Sequence, residues 1–327
     1  MKENIHPTPI QRRLSITLKL RNLSPTSMQR KKQLKCEAHN SETMEQPKPT
    51  VESKKRSLPL EAFEIGNQLG RGAYGKVFHA INKETREEVA IKVYQRYHII
   101  KQRCEHWLNN EILSLKKIKH ENIIKLYQVI ETRKDVNLVM ELVNGQSLGD
   151  YIRSKKSRRL EEKEALRIFE QIVDGISYCH SLDIAHRDIK VDNVLLDEKT
   201  KVKLIDFGLS VSTKPQDKLK EYCGTESYMA PELTKREEYS GQAVDVWALG
   251  ILLYIMVSGH YPFCGKSDTD LLGNKMAGRL KFPDTVNEDV KVLIKQMLKV
   301  DPKQRATASS ILKSCKAILA NKTIQSE

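Results

Sequence analysis

Three glycines, Gly70, Gly72 and Gly75, spaced G-x-G-x-x-G, constrain this chain more than any other feature. A loop of this kind lets backbone amides approach phosphates, and it occurs in more than one architecture. A dinucleotide-binding unit needs a helix directly after its last glycine. Here the chain continues Lys76-Val77-Phe78-His79-Ala80-Ile81, an alternation that predicts a strand. A turn over Asn82 to Arg86 and a second strand, Val89-Ala90-Ile91-Lys92-Val93, follow. The glycines therefore belong to a β-hairpin, and the dinucleotide reading falls.

Lys92 stands inside that apolar strand, where an unpaired ammonium is costly to bury. Glu111, in a helical pattern with Trp107, Leu108, Ile112 and Leu115, is an available counter-charge. A lysine so placed after a glycine hairpin reads as a phosphate contact held by a carboxylate. Further on, Ala165, Ile168, Phe169, Ile172, Val173 and Ile176 mark a helix with one buried face. It leads into His186-Arg187-Asp188-Ile189-Lys190-Val191-Asp192-Asn193, and Asp206-Phe207-Gly208 comes after the short apolar strand Lys201 to Ile205. Three carboxylates and an amide so close in sequence suit magnesium, which takes hard oxygen ligands together with substrate phosphates.

These segments, with Ala230-Pro231-Glu232, resemble in kind and order the signature of the eukaryotic protein kinases. The likeness extends from about Phe63 to Ala317. It implies an α+β, bilobal fold with a small β-rich N-lobe and a larger helical C-lobe. The activity implied is transfer of the γ-phosphoryl group of ATP, with Mg²⁺, to serine or threonine hydroxyls of protein substrates. Position by position, the loop Leu69-Gly70-Arg71-Gly72-Ala73-Tyr74-Gly75-Lys76 would cover the nucleotide phosphates, and Lys92 would bind them while paired to Glu111. Val77, Ala90 and Leu195 would enclose the adenine, Glu141 and Val143 would offer it backbone hydrogen bonds, and Met140 would limit the pocket's depth. Asp188 would accept the substrate hydroxyl proton, Lys190 would balance charge at the transferred group, and Asn193 and Asp206 would hold Mg²⁺. Asp245, Trp247 and the Arg305–Glu232 pair read as scaffold.

Lys190, two residues after the catalytic Asp188, and Thr225 resemble the serine/threonine type. The Gly241 to Phe263 stretch and the absence of large inserts resemble the calmodulin-dependent and AMP-activated group. Two departures stand out. Ser147 occupies a position where arginine-directed members carry Glu, with Asp192 partly restoring negative charge nearby. Glu221 lies where relatives place an activating phosphothreonine, so its carboxylate is expected to pair with Arg187 and give partial activity without an upstream kinase. Ser210, Ser212, Thr213 and Tyr222 are alternative phosphorylation sites. The competing reading is a pseudokinase that scaffolds without phosphoryl transfer; intact Lys92, Glu111, Asp188, Asn193 and Asp206 argue against it.

Composition bears on the remainder. The net charge is +14 over 327 residues, and residues 1–60 carry thirteen Lys/Arg against five Glu, a net +8. That segment has no Gly, Trp, Tyr or Phe and is expected to be a disordered basic tail. The catalytic domain is expected over 61–317, with a short C-terminal tail over 318–327. Regulation in cis is then expected from the N-terminal tail, whose Arg12-Arg13-Leu14-Ser15 resembles a phosphorylation site. An upstream kinase or regulator would act there or on the activation loop, Lys220 to Thr225. The basic clusters Gln29 to Lys35 and Lys54 to Arg56 lack the interleaved aromatics that stack on bases, so no specific nucleic acid is expected. No membrane span is expected: the apolar run Val246 to Ser258 reads as a buried helix. Six scattered cysteines without ligand spacing, and no secretory apolar stretch, point to reduced thiols in a cytoplasmic or nuclear protein.

Overall fold

The computed structural model describes residues 58–72 and 75–324. The expected tail up to residue 57, with its basic clusters, Ser15 and Cys36, lies outside the described residues, as do Ala73 and Tyr74 of the glycine loop.

β1 (Phe63–Arg71) and β2 (Lys76–Asn82) form the hairpin that the glycines predict, with Gly70 opposite Val77 and Arg71 opposite Lys76. The Gly72 amide donates to the Gly75 carbonyl at 2.8 Å across the turn. β3 (Glu88–Gln95) pairs next, followed by α1 (Arg96–Lys101), α2 (Glu105–Lys117), β4 (Leu126–Glu131) and β5 (Asp135–Glu141). The antiparallel sheet runs in the order β1-β2-β3-β5-β4. Alternation along β3 divides its side chains between two faces. Val89 and Ile91 join Phe63, Ala80, Ile130 and Val139 in a small apolar cluster, against which Val93, Leu58 and Leu60 also pack. Ala90, Lys92 and Tyr94 are on the other face.

The chain then becomes mainly helical. β6 (Gly145–Ser147), α3 (Leu148–Ser154), α4 (Glu162–Ser181), β7 (Ile184–Ala185), β8 (Val194–Asp197), β9 (Val202–Leu204) and β10 (Val211–Ser212) come first. α5 (Pro231–Thr234), α6 (Gly241–Ser258), α7 (Asp268–Ala277), α8 (Glu288–Met297) and α9 (Ala308–Ile324) complete it. β6, β8 and β9 form a small sheet, and β7 pairs with β10. A β-rich N-terminal part followed by a helical one is the α+β, bilobal arrangement that the motifs imply.

α4 buries the face carrying Ala165, Ile168, Phe169, Ile172, Val173 and Ile176. It packs on α9 and α6. α6 starts at Gly241, five residues ahead of the apolar run that opens at Val246. At 18 residues it is long and apolar enough to cross a membrane, yet it is buried within the fold against α4 and α8. It ends at Gly259, whose φ of 82° is left-handed and whose added Cβ would meet the Arg158 carbonyl at 2.5 Å. α9 continues past residue 317 to Ile324. Of the five described cysteines, four are buried and Cys264 is exposed.

Candidate active site

The segment His186 to Asn193 is held from below by one buried carboxylate. Asp245, one turn into α6, accepts the His186 amide at 2.8 Å on Oδ2 and the Arg187 amide at 2.7 Å on Oδ1. His180 Nε2 lies 2.9 Å from Oδ2. These bonds hold Arg187 at a φ of 64°, a left-handed conformation unusual for a residue with a side chain. Asp206 is similar, with a φ of 60°. Strain of this kind persists only where surrounding bonds over-determine the backbone.

Three side chains fix the Asp188 carboxylate. Thr225 Oγ1 donates to Oδ1 at 2.8 Å, while Lys190 Nζ and Asn193 Nδ2 donate to Oδ2 at 2.7 and 3.0 Å. Lys190 also reaches Thr225 Oγ1 at 3.0 Å. Gly224 makes this approach possible: its φ is 104°, and a Cβ there would sit 2.8 Å from the Arg187 carbonyl.

A second cluster joins β3, α2 and the segment after β9. Lys92 Nζ donates to Glu111 Oε1 and to Asp206 Oδ1, both at 2.8 Å. Burial alone would favour losing the lysine's proton; the carboxylates of Asp206 and Glu111 reverse that and raise its pKa well above the ordinary value. The same ammonium, against the opposing effect of burial, brings the Asp206 carboxyl down to about 2. Asp206 and Asn193, the residues expected to hold magnesium, supply hard oxygen donors. Asn193 commits its amide nitrogen to Asp188, leaving the amide oxygen as its available donor. One carboxylate and one amide oxygen fit a cation that retains water and takes phosphate oxygens. Among the described residues, no cluster of three His, Cys, Asp or Glu side chains could hold a metal.

Of the residues expected around adenine, Val77 and Ala90 lie on β2 and β3, Leu195 on β8, and Glu141 at the end of β5 with Val143 just after it. Buried Met140 pairs in register with Ala90. The Glu141 amide is bonded to the Lys125 carbonyl at 2.9 Å, which leaves Val143 as the backbone donor of that pair. The Glu141 carboxylate is paired with Lys203 of β9 at 2.7 Å. Leu69, Gly70 and Arg71 end β1, Gly72 and Gly75 make the turn, and Lys76 opens β2.

Glu221 meets Arg187: its Oε2 accepts from Nη1 at 2.9 Å. Its other oxygen lies 3.6 Å from His106 Nε2 on α2. Arg187 Nε donates to the Leu209 carbonyl at 2.7 Å, and Nη1 also reaches the Tyr239 hydroxyl at 3.1 Å. Its Nη2 is buried and has no hydrogen-bond partner among the described residues. A carboxylate therefore satisfies only part of this guanidinium. Among the alternative phosphorylation sites, Ser210 and Thr213 are buried, while Ser212 and Tyr222 are exposed, the latter with the Arg236 guanidinium 4.4 Å from its ring centre.

Ser147 has a local role: its Oγ accepts the Asp150 amide at 3.0 Å and donates to Asp150 Oδ2 at 2.7 Å, capping α3. Asp150 is also bonded by Arg153 at 2.7 Å. Asp192 is exposed. The Ser-x-x-Asp spacing is a capping-box signal that could have revealed this in the sequence. Sequence reasoning did not identify Thr225 as a partner of Asp188, or Tyr94, whose hydroxyl donates to Glu111 Oε2. No motif spacing announces either contact.

Residues 63–315 match the family described as protein kinase domain. A Mus musculus protein named for a sperm motility kinase, W, is 39% identical over 259 residues, covering 79% of this chain and 50% of that protein. Serine/threonine-protein kinase SIK1 of Mus musculus is 36% identical over 265 residues, covering 81% and 34%. CBL-interacting protein kinase 2 of Oryza sativa subsp. japonica is 34% identical over 261 residues, covering 79% and 58%. The chain thus aligns with between a third and three-fifths of the length of these relatives.

Proposed function

The chain belongs to the protein kinase family, and from that premise we propose that it is an ATP- and Mg²⁺-dependent serine/threonine kinase acting on protein substrates. One observation carries the reading: the Asp188 carboxylate is held at both oxygens by Thr225, Lys190 and Asn193. A carboxylate so oriented can align a hydroxyl and accept its proton as the oxygen attacks phosphorus. Lys190, already beside it, would balance charge at the transferred group. Lys92, fixed by Glu111, would bind nucleotide phosphates beneath the glycine loop, which includes Leu69 to Lys76. Val77, Ala90, Leu195, Glu141 and Val143 would form the adenine site. Magnesium, held through Asp206 and Asn193, would neutralise phosphate charge.

The catalytic domain on this reading covers 61–317, in a cytoplasmic or nuclear protein. The Glu221–Arg187 pair supports activity without an upstream kinase. It supplies the negative charge but leaves Nη2 unsatisfied, so that activity would be partial. The Ser147 cap and the Arg153-bonded Asp150 support a weak preference for arginine at this end of a substrate.

In the full chain, Asp188→Asn should still bind Mg-ATP while losing at least about a hundredfold in transfer rate, the scale of a lost general base. Transfer at the unaltered rate would refute the role given to Asp188.

A further inference from the structure

Glu111 presents one oxygen to Lys92 from α2, an element outside the sheet that carries Lys92. A charge pair alone fixes that carboxylate poorly, because either oxygen can serve and the side chain can rotate. Tyr94 lies two residues beyond Lys92 on β3, so the pleat places both on one face. Its hydroxyl donates to Glu111 Oε2 while Lys92 takes Oε1. The two oxygens thus have different partners, and the carboxylate has one orientation.

The ring makes two further contacts. Lys92 Nζ lies 5.2 Å from its centre. On another side, a Cβ on Gly75 would be 3.2 Å from Tyr94 Cε1, so the last glycine of the loop packs directly against the ring. Tyr94 is 3% exposed. Burial raises its pKa well above the ordinary phenol value despite the ammonium beside it, which keeps the hydroxyl a donor at neutral pH. One side chain therefore touches the lysine, its carboxylate partner and the glycine turn.

We propose that Tyr94 is a positioning residue for nucleotide binding, holding Glu111 and α2 so that Lys92 is correctly placed beneath the glycine loop. This rests on the kinase reading of Lys92. A phenol hydrogen bond to a buried carboxylate is strong enough to matter at the scale of about tenfold or more.

The test uses the full chain with Tyr94→Phe, Glu111→Gln and the double variant. Tyr94→Phe keeps the ring and removes only the donor. Its kcat/KM for Mg-ATP should fall roughly tenfold with the peptide KM unchanged. The double variant should be no worse than Glu111→Gln, since both changes break one linkage. Hydrogen exchange of the amides over 105–117 should be faster in Tyr94→Phe. Unchanged kinetics and exchange would overturn the proposal, as would losses that multiply in the double variant. If the unaltered protein transfers no phosphate even after incubation with an activating kinase, the kinase reading fails, and exchange alone decides whether Tyr94 holds α2: faster exchange upholds that role and unchanged exchange removes it.

Discussion

Lys275 on α7 is fully buried, and its ammonium is held by neutral groups, the Glu226 carbonyl at 2.9 Å and Thr234 Oγ1 at 3.4 Å. Burial lowers its pKa from 10.5 to about 8, with Glu226 and Asp268 pulling weakly upward. A lysine whose folded value lies below its unfolded one binds fewer protons when folded within that interval. Stability should therefore rise with pH across the window from about 8 to 10.5. Thermal unfolding at about pH 7 and about pH 10 should move in favour of the natural protein relative to Lys275→Met; a pH-independent difference would contradict this. The same scale shows what sequence could and could not supply. Lys92, Glu111, Asp188, Asn193 and Asp206 were legible because their chemistry recurs at fixed spacing. Thr225 and Tyr94 were not, because the first reaches Asp188 across 37 positions and the second Glu111 across 17. Those meetings depend on tertiary packing.

Among the elements, α2 is tied to its surroundings at several places along its length. His106 faces Glu221, Glu111 joins Lys92 and Tyr94, and Ser114 is bonded to Ser210 just after Gly208. Glu221 is thus common to the helix and, through Arg187, to the catalytic loop His186 to Asn193. Removing it should release one end of α2 and leave Arg187 underpaired, lowering the basal transfer rate several-fold in Glu221→Ala. Equal rates for the two proteins, each prepared without an upstream kinase, would show that the carboxylate does not support activity. A different pair fastens the loop that leads to α5. Arg305 donates to both oxygens of Glu232 at 2.6 and 2.7 Å, and both side chains are buried. Arg305 also donates to the carbonyls of Lys299, Ala243 and Val300, whereas among the described residues the Glu232 carboxylate is bonded by Arg305 alone. Arg305→Met should therefore cost about 3–5 kcal/mol in urea unfolding by stranding a buried carboxylate. Glu232→Gln, which retains an acceptor, should cost less.

For the whole molecule, hydrophobic period and glycine placement already give the hairpin and a long helix over 165–180, observed as Glu162–Ser181, while the order of β-rich and helical parts follows from the family resemblance. Alternation is readable in β2 and β3 because their two faces meet different surroundings. The start of α6 was not readable: Gly241-Gln242-Ala243 carries little periodic signal, and the packing of Asp245 beneath the catalytic loop draws the helix back to that point. α9 runs on to Ile324.

Transfer of labelled γ-phosphate from Mg-ATP to a degenerate Ser/Thr/Tyr peptide library tests the functional reading most directly. The full chain, untreated by any upstream kinase, should label serine and threonine, without a strong requirement for upstream arginine, and Asp188→Asn should not. Labelling by Asp188→Asn at the unaltered rate would contradict the assigned chemistry. No transfer by the natural chain, even after incubation with an activating kinase, would instead mark it as a scaffold built on the same fold.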